Sequence, residues 1–397
     1  MMDRNESVSG MEPLLISEGA RARPELSDLV LALVEKSTGL RRSLPAEIID
    51  ALADLVSSMN CYYSNLIEGH DTHPIDIERA LNEDFSTDPK QRNLQLEAKA
   101  HIKVQEWIDA GGLDGRTTRS EALKEVHKRF CNLLPDELLS VGHPETGESQ
   151  QVIPGTLREN DVIVGRHVAI SPGALPRFMA RFEEAYANLG KLDTILTVAA
   201  AHHRFLWIHP FLDGNGRVAR LMSHAMLSEA LNTGGVWSIA RGLARNESDY
   251  KQHLAACDLP RRNDVDGRGA LSEEALTEFT RFFLKVCVDQ IDFMERLMQP
   301  ERLRDRIMIW CEEEMRAGAL PPRSEKVLEV LTIRGELKRG DVAELLGTSG
   351  RSSQRVTKAL LDHGIIKSKS TRAPFHLAFP ARLASRWMPG LFPDLAD

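Results

Sequence analysis

The string HPFLDGNGRVAR, residues 209–220, constrains this chain more than any other. Gly214, Asn215 and Gly216 let the backbone come close to an anion, because glycine carries no Cβ and tolerates positive φ. The run RVARLMSHAMLSEALN that follows reads as a helix. Successive N–H groups of the loop would then form a nest at the positive end of a helix dipole. Arg217 and Arg220 stand three apart on that helix, so both guanidinium groups can reach one polyanion. Asp213 borders the loop and offers an oxygen to a hard divalent cation such as Mg²⁺. His209 precedes it, and histidine is the side chain whose ordinary pKa suits proton removal near neutrality. These residues imply a polyphosphate site with a general base.

The same residues fit, position by position, the pattern H-P-F-x-[D/E]-G-N-G-R-x-x-R, and the chain therefore resembles the Fic-domain family. The resemblance implies a mainly α fold: a Fic-type helical domain with a β-hairpin flap. It implies a protein adenylyltransferase that moves AMP from ATP, with Mg²⁺, onto a Tyr, Thr or Ser hydroxyl of a target protein. In that scheme His209 is the base and Asp213 holds the metal. Gly214, Asn215 and Gly216 line the anion hole, Arg217 grips the β-phosphate side and Arg220 the γ-phosphate. The flap is expected over residues 152–170, where Arg158, Val162, Ile163, Val164 and Gly165 belong to the element that pairs with target backbone. Tyr250 and Leu254 match the family's Y-Y-x-x-L helix beside the adenine, although Lys251 replaces the second tyrosine. His202 and His203 read as helix-packing residues.

Ser64-Asn65-Leu66-Ile67-Glu68-Gly69 matches a second family pattern, [S/T]-x-x-x-E-[G/N]. Four-residue spacing puts Ser64 and Glu68 on one face of a helix end. The resemblance implies that Glu68 pairs with Arg220 and keeps the enzyme off. A retained Glu68 also leaves reverse removal of AMP as an alternative. Gly216 speaks against a kinase-like relative, which carries lysine there.

Composition excludes other classes. The 397 residues are 42% hydrophobic and 27% charged, as in a globular protein of two or three domains. No apolar run approaches the roughly 18–20 residues of a membrane helix, and the N-terminal MMDRNESVSGMEP mixes acid with base and lacks the apolar core of a signal peptide. Five scattered cysteines, without C-x-x-C spacing, read as reduced thiols in the cytoplasm.

Along the chain we expect a disordered segment over 1–24, then an N-terminal helical region with the inhibitory helix over 25–112. A Fic core should fill 113–295, with a linker helix over 296–320. The second of the N-terminal helices carries Ile49, Leu52, Val56, Met59 and Tyr63 at spacings of three and four. From 321 to 382 three helices and a β-wing resemble a winged-helix domain, with Gly347 in the turn between the last two helices; 383–397 is a tail. Residues 321–397 hold 13 Lys+Arg against 8 Asp+Glu in a chain of net charge −8. Arg351, Arg355, Lys358, Lys367 and Lys369 are therefore phosphate-contact candidates. An alternative reading is a DNA-binding regulator with a Fic sensor domain. Self-modification, DNA or protein docking through this domain, and a homodimer are the partner readings left open; no membrane is expected.

Overall fold

The computed structural model describes residues 2–142 and 149–393. The fold is mainly helical, as expected. In chain order come α1 (Arg23–Arg42), α2 (Ala46–Ile67), α3 (Pro74–Leu81), α4 (Pro89–Trp107), α5 (Ser120–Cys131), α6 (Leu175–Tyr186), α7 (Lys191–Ile208) and α8 (Asn215–Leu231). They are followed by α9 (Ile239–Arg245), α10 (Glu247–Cys257), α11 (Glu273–Leu297) and α12 (Pro300–Arg316). Contacts divide the chain into two units: Met1–Glu35 with Asn60–Thr233 and Ser238–Gln290, and Lys36–Met59 with Gly234–Trp237 and Ile291–Asp397.

The first unit is built around α7 and α8. Three successive alanines, Ala199 to Ala201, keep the α7 backbone slim, and Phe205 and Ile208 are buried below them. Val218, Met222 and Met226 of α8 are buried in turn. Helix α7 stops because His209 adopts a left-handed conformation (φ 50°) and Pro210 has no N–H to continue the ladder. Helix α8 starts after Gly214, also left-handed (φ 79°). The chain thus reverses within a few residues, and those residues carry the signature.

The N-terminal segment differs from expectation. Residues 2–22 are folded onto the first unit rather than disordered. Met11, Leu14 and Ile16 are buried. Glu6 accepts from the Ser171 N–H and hydroxyl at 2.8 and 2.6 Å, Arg177 holds Asp3 at 2.5 Å, and Arg204 donates to the Pro13 carbonyl at 2.8 Å. All of these partners lie more than 150 residues away in sequence.

The single hairpin expected over 152–170 is also smaller than foreseen. Strands β1 (Ser140–Gly142) and β2 (Ser149–Gln151) pair just before it. Within the expected range only β3 (Ile163–Val164) and β4 (His167–Val168) pair, about a turn with Gly165 at φ 61°. Positive φ at the first of two turn residues is what glycine supplies. Residues 152–162 are irregular: Pro154 has no N–H to give a ladder, and the Gly155 N–H and the Arg158 side chain are bonded to His127 and to the carbonyls of His209 and Ile170.

In the second unit, α13 (Ser324–Arg334), α14 (Val342–Leu346) and α15 (Gly350–Asp362) accompany an antiparallel sheet of order β5-β7-β6: β5 (Glu336–Leu337), β6 (Ile366–Lys367) and β7 (Phe375–Leu377). Gly347, left-handed at φ 58°, ends α14 before α15 begins. The core of this unit reaches past both ends of 321–382. Trp310 of α12 meets Trp387 of α16 (Ala384–Trp387) edge to face at 5.1 Å, and Met388 and Leu391 are buried. Of the expected tail, residues 394–397 lie outside the described residues.

Candidate active site

The loop between α7 and α8 is closed by its own asparagine. The Asn215 side chain accepts from the Phe211 N–H at 2.9 Å and donates to the Phe211 carbonyl at 2.8 Å. The side chain expected to line an anion hole therefore brackets the loop instead, leaving the backbone of Gly214 and Gly216 to face an anion. The buried Phe211 ring stacks on His127 of α5, centroids 4.0 Å apart. His127 also takes the Gly155 N–H on Nδ1 at 2.9 Å and lies 3.2 Å from the Asp213 carbonyl through Nε2. Nothing in the spacing of the sequence marked His127; its partners come from two distant segments.

His209 sits half-buried at the head of the loop. Its Nδ1 is 3.3 Å from the Leu206 carbonyl, which makes Nδ1 the protonated nitrogen and leaves the Nε2 lone pair for a substrate proton. Burial lowers its pKa to about 4, with Arg158 and His167 adding to the effect. The imidazole is neutral at physiological pH, as a base must be. The exposed carboxylate of Asp213 makes no hydrogen bond or ion pair among the described residues, which suits a metal shared with phosphate oxygens.

Arg217 is buried with its guanidinium 4.8 Å over the Phe130 ring, and its Nε has no partner among the described residues. Arg220 is fully engaged. It donates from Nε to the Ser64 hydroxyl at 2.8 Å, from Nη2 to the Ser64 carbonyl at 3.2 Å, and from Nη2 to the Glu68 carboxylate. Helix α2 delivers these groups and ends at once: Gly69 is left-handed at φ 82°, and the His70 N–H closes onto the Asn65 carbonyl at 2.9 Å. Burial alone would raise the Glu68 pKa, but Arg220, then Arg217 and His70, outweigh it and hold the carboxyl below its ordinary value. A Cβ built on Gly216 would strike Glu68 Oε1. An anion thus already lies against the start of α8.

Arg158 is not displayed on the flap. It is 3% exposed and donates to the carbonyls of His209 (2.7 Å), Asn160 (2.8 Å) and Ile170 (2.6 Å). Burial brings its pKa down to about 10, so it stays charged. The hairpin above it shows its apolar side chains to solvent: Ile163, Val164 and Val168 are exposed and Val162 is half-buried. His167 anchors it through the Trp207 carbonyl at 2.8 Å.

Tyr250 is likewise beneath the site rather than on it. It is 2% exposed, with its hydroxyl 2.7 Å from His202 Nε2. Ser223 Oγ already donates to the Ala219 carbonyl, so it accepts from His202 Nδ1 at 2.9 Å, and Tyr250 must donate to Nε2. A direct contact between Tyr250 and a base is not what this packing offers. His202 and His203 are core residues, the latter 2.9 Å from Asp258.

Residues 117–227 match the model of the Fic/DOC family. The chain is 27% identical over 205 residues to the protein adenylyltransferase Fic of Drosophila persimilis, covering 51% of this chain and 36% of that protein. It is 26% identical over 241 residues to the protein adenylyltransferase Fic of Nematostella vectensis, covering 58% and 52%. The chain thus spans about a third to a half of the length of these curated relatives. The crystal structure of a Fic family protein from Desulfovibrio desulfuricans shares the fold, with a TM-score of 0.53 at 17% identity over 92% of this chain and 98% of that one.

Proposed function

We propose that this chain, whose residues 117–227 match the Fic/DOC family model, is a protein adenylyltransferase held off by Glu68. The observation that carries the reading is the seated carboxylate: Glu68 lies against Gly216 and Arg220, where the polyanion of ATP would lie. An acceptor hydroxyl of Tyr, Thr or Ser attacks the α-phosphorus and gives its proton to His209 Nε2. The new O–P bond forms as the bond to pyrophosphate breaks. Arg217 and Arg220 hold the charge of the departing pyrophosphate, and general-base help contributes about 10²–10⁴-fold. Asp213 is the residue that would hold Mg²⁺, which supplies neutralisation of the phosphate charge. The β3–β4 hairpin offers exposed strand edges and apolar side chains to the target backbone.

No helix among the described residues is long and apolar enough to cross a membrane. The five cysteines are all buried and unpaired, which supports a reducing, cytoplasmic setting. The second unit supports a docking role for a winged-helix domain: Arg351, Arg355 and Lys358 are exposed at spacings of four and three on α15. They suit the phosphates of duplex DNA, whereas Lys367 is 2.5 Å from Asp54 and is partly neutralised. A salt-dependent mobility shift with random duplex tests that part.

The adenylyltransferase reading is tested by mass spectrometry of lysate treated with the Glu68→Gly protein and ATP, with His209→Ala added as control. An added AMP mass that requires His209 is expected, and its absence would remove the reading.

A further inference from the structure

The geometry points to His127 as the positioning residue of the anion cradle: its imidazole orients the Asp213–Gly214 peptide so that the Gly214 N–H faces the bound polyphosphate. This rests on the polyanion-site part of the proposed function and names a residue outside the signature.

The argument begins with the proton. The Gly155 N–H is a donor, and it meets His127 Nδ1 at 2.9 Å, so Nδ1 carries the lone pair. The proton therefore resides on Nε2, which must act as a donor; the Asp213 carbonyl oxygen at 3.2 Å is a far better acceptor for it than the Cys131 sulfur at 3.5 Å. One tautomer satisfies both bonds.

A trans peptide is planar, with its C=O and N–H directed to opposite sides. Pinning the Asp213 carbonyl toward α5 therefore sends the Gly214 N–H away from His127. Gly214 is the residue before α8, where a loose N–H would be an orphan donor of the helix start. Two further contacts keep the peptide from rotating. The Phe211 ring lies flat on the imidazole with an interplanar angle of 7°, and a Cβ at Gly214 would already be in van der Waals contact with His127 Cδ2 at 3.5 Å. His127 is 1% exposed, so no water competes for Nε2. Asp213, whose side chain would hold the metal, is fixed through the same carbonyl. One ring thus sets both the donor and the carboxylate side of the cradle.

The test separates hydrogen bonding from packing. In the Glu68→Gly protein, His127→Phe keeps the stack on Phe211 and loses both hydrogen bonds. His127→Gln can restore an acceptor for Gly155 and a donor for Asp213. Binding of inorganic tripolyphosphate with Mg²⁺ is measured by calorimetry, beside thermal melting of each variant. Tripolyphosphate should bind the His127→Phe variant about tenfold more weakly, as expected for a hydrogen bond to a charged group, and the His127→Gln variant within about threefold of Glu68→Gly. If the Phe variant fails to fold, the Gln variant still decides: affinity lost while melting is unchanged refutes the restored-bond argument. Equal affinity in the Phe variant overturns the proposal, and so does a Glu68→Gly protein that binds no tripolyphosphate. Tripolyphosphate binding that depends on His127 without any AMP transfer would sink the transferase reading alone.

Discussion

At the residue scale the site is a set of groups whose protonation states are fixed by burial. His209, with a pKa near 4 in the folded chain, stays neutral far below the ordinary 6.5. A base is lost only as pH falls through its own pKa, so the acid limb of kcat/KM for Glu68→Gly should lie well below pH 6. A limb at 6.5 would contradict the assigned environment. Asn215 is a second case. Asn215→Ala removes both bonds to Phe211 and should destabilise the protein by about 1–3 kcal/mol, read as a lower melting temperature with weaker ATP binding. That His209, Asp213, Gly216 and Arg220 gather about the α7–α8 loop was legible in sequence because they form one contiguous string. The duties of Asn215, His127 and Tyr250 were not. A side chain that turns back on its own loop, or serves a carbonyl 86 residues away, leaves no periodic trace.

At the element scale, helix ends and one hairpin do the positioning. Gly69 and Gly214 both take left-handed backbone where α2 ends and α8 begins, and each end bears on the cradle. The helices themselves could be read from apolar spacing and glycine or proline punctuation, as α2 illustrates: Leu52, Val56, Met59 and Tyr63 are all buried. The hairpin was harder, because Arg158, expected in the element that pairs with target backbone, is instead buried and bonded to the carbonyls of His209, Asn160 and Ile170. Arg158→Met strands the carbonyls of Asn160, Ile170 and His209. We expect faster amide exchange over residues 161–170 and a fall in kcat; unchanged exchange would show that the flap is held otherwise. Gly165→Val puts a β-branched residue at positive φ. It should raise KM for the protein target severalfold and leave ATP affinity alone, which steady-state kinetics with each substrate in turn would reveal.

At the scale of the whole molecule, the first unit encloses five described histidines that burial keeps neutral: His101 and His202 with pKa about 3, His127, His203 and His209 about 4. Their ordinary value is 6.5, so between pH 6.5 and 4 the unfolded chain binds more protons than the folded one. Stability is present above 6.5 and drains as pH falls, by up to about 1.4 kcal/mol per pH unit for each group. His70 and His224, whose pKa values are raised, oppose this in part. The urea midpoint should therefore drop markedly from pH 7.5 to pH 5, and an unchanged midpoint would show those histidines accessible. The order of residues 2–22 belongs to this scale too, since polar residues such as Asp3, Glu6 and Arg4 look unstructured until Ser171 and Arg177 are beside them. We propose that the Glu68 carboxylate fills the place of ATP phosphate at Arg220. It is tested most directly by initial rates of labelled AMP transfer for the parent, Glu68→Gly, and Glu68→Gly with Arg220→Ala. We predict a rise of at least about tenfold on removing the carboxylate, and its loss when Arg220 goes as well. Equal rates in the parent and Glu68→Gly would contradict the claim.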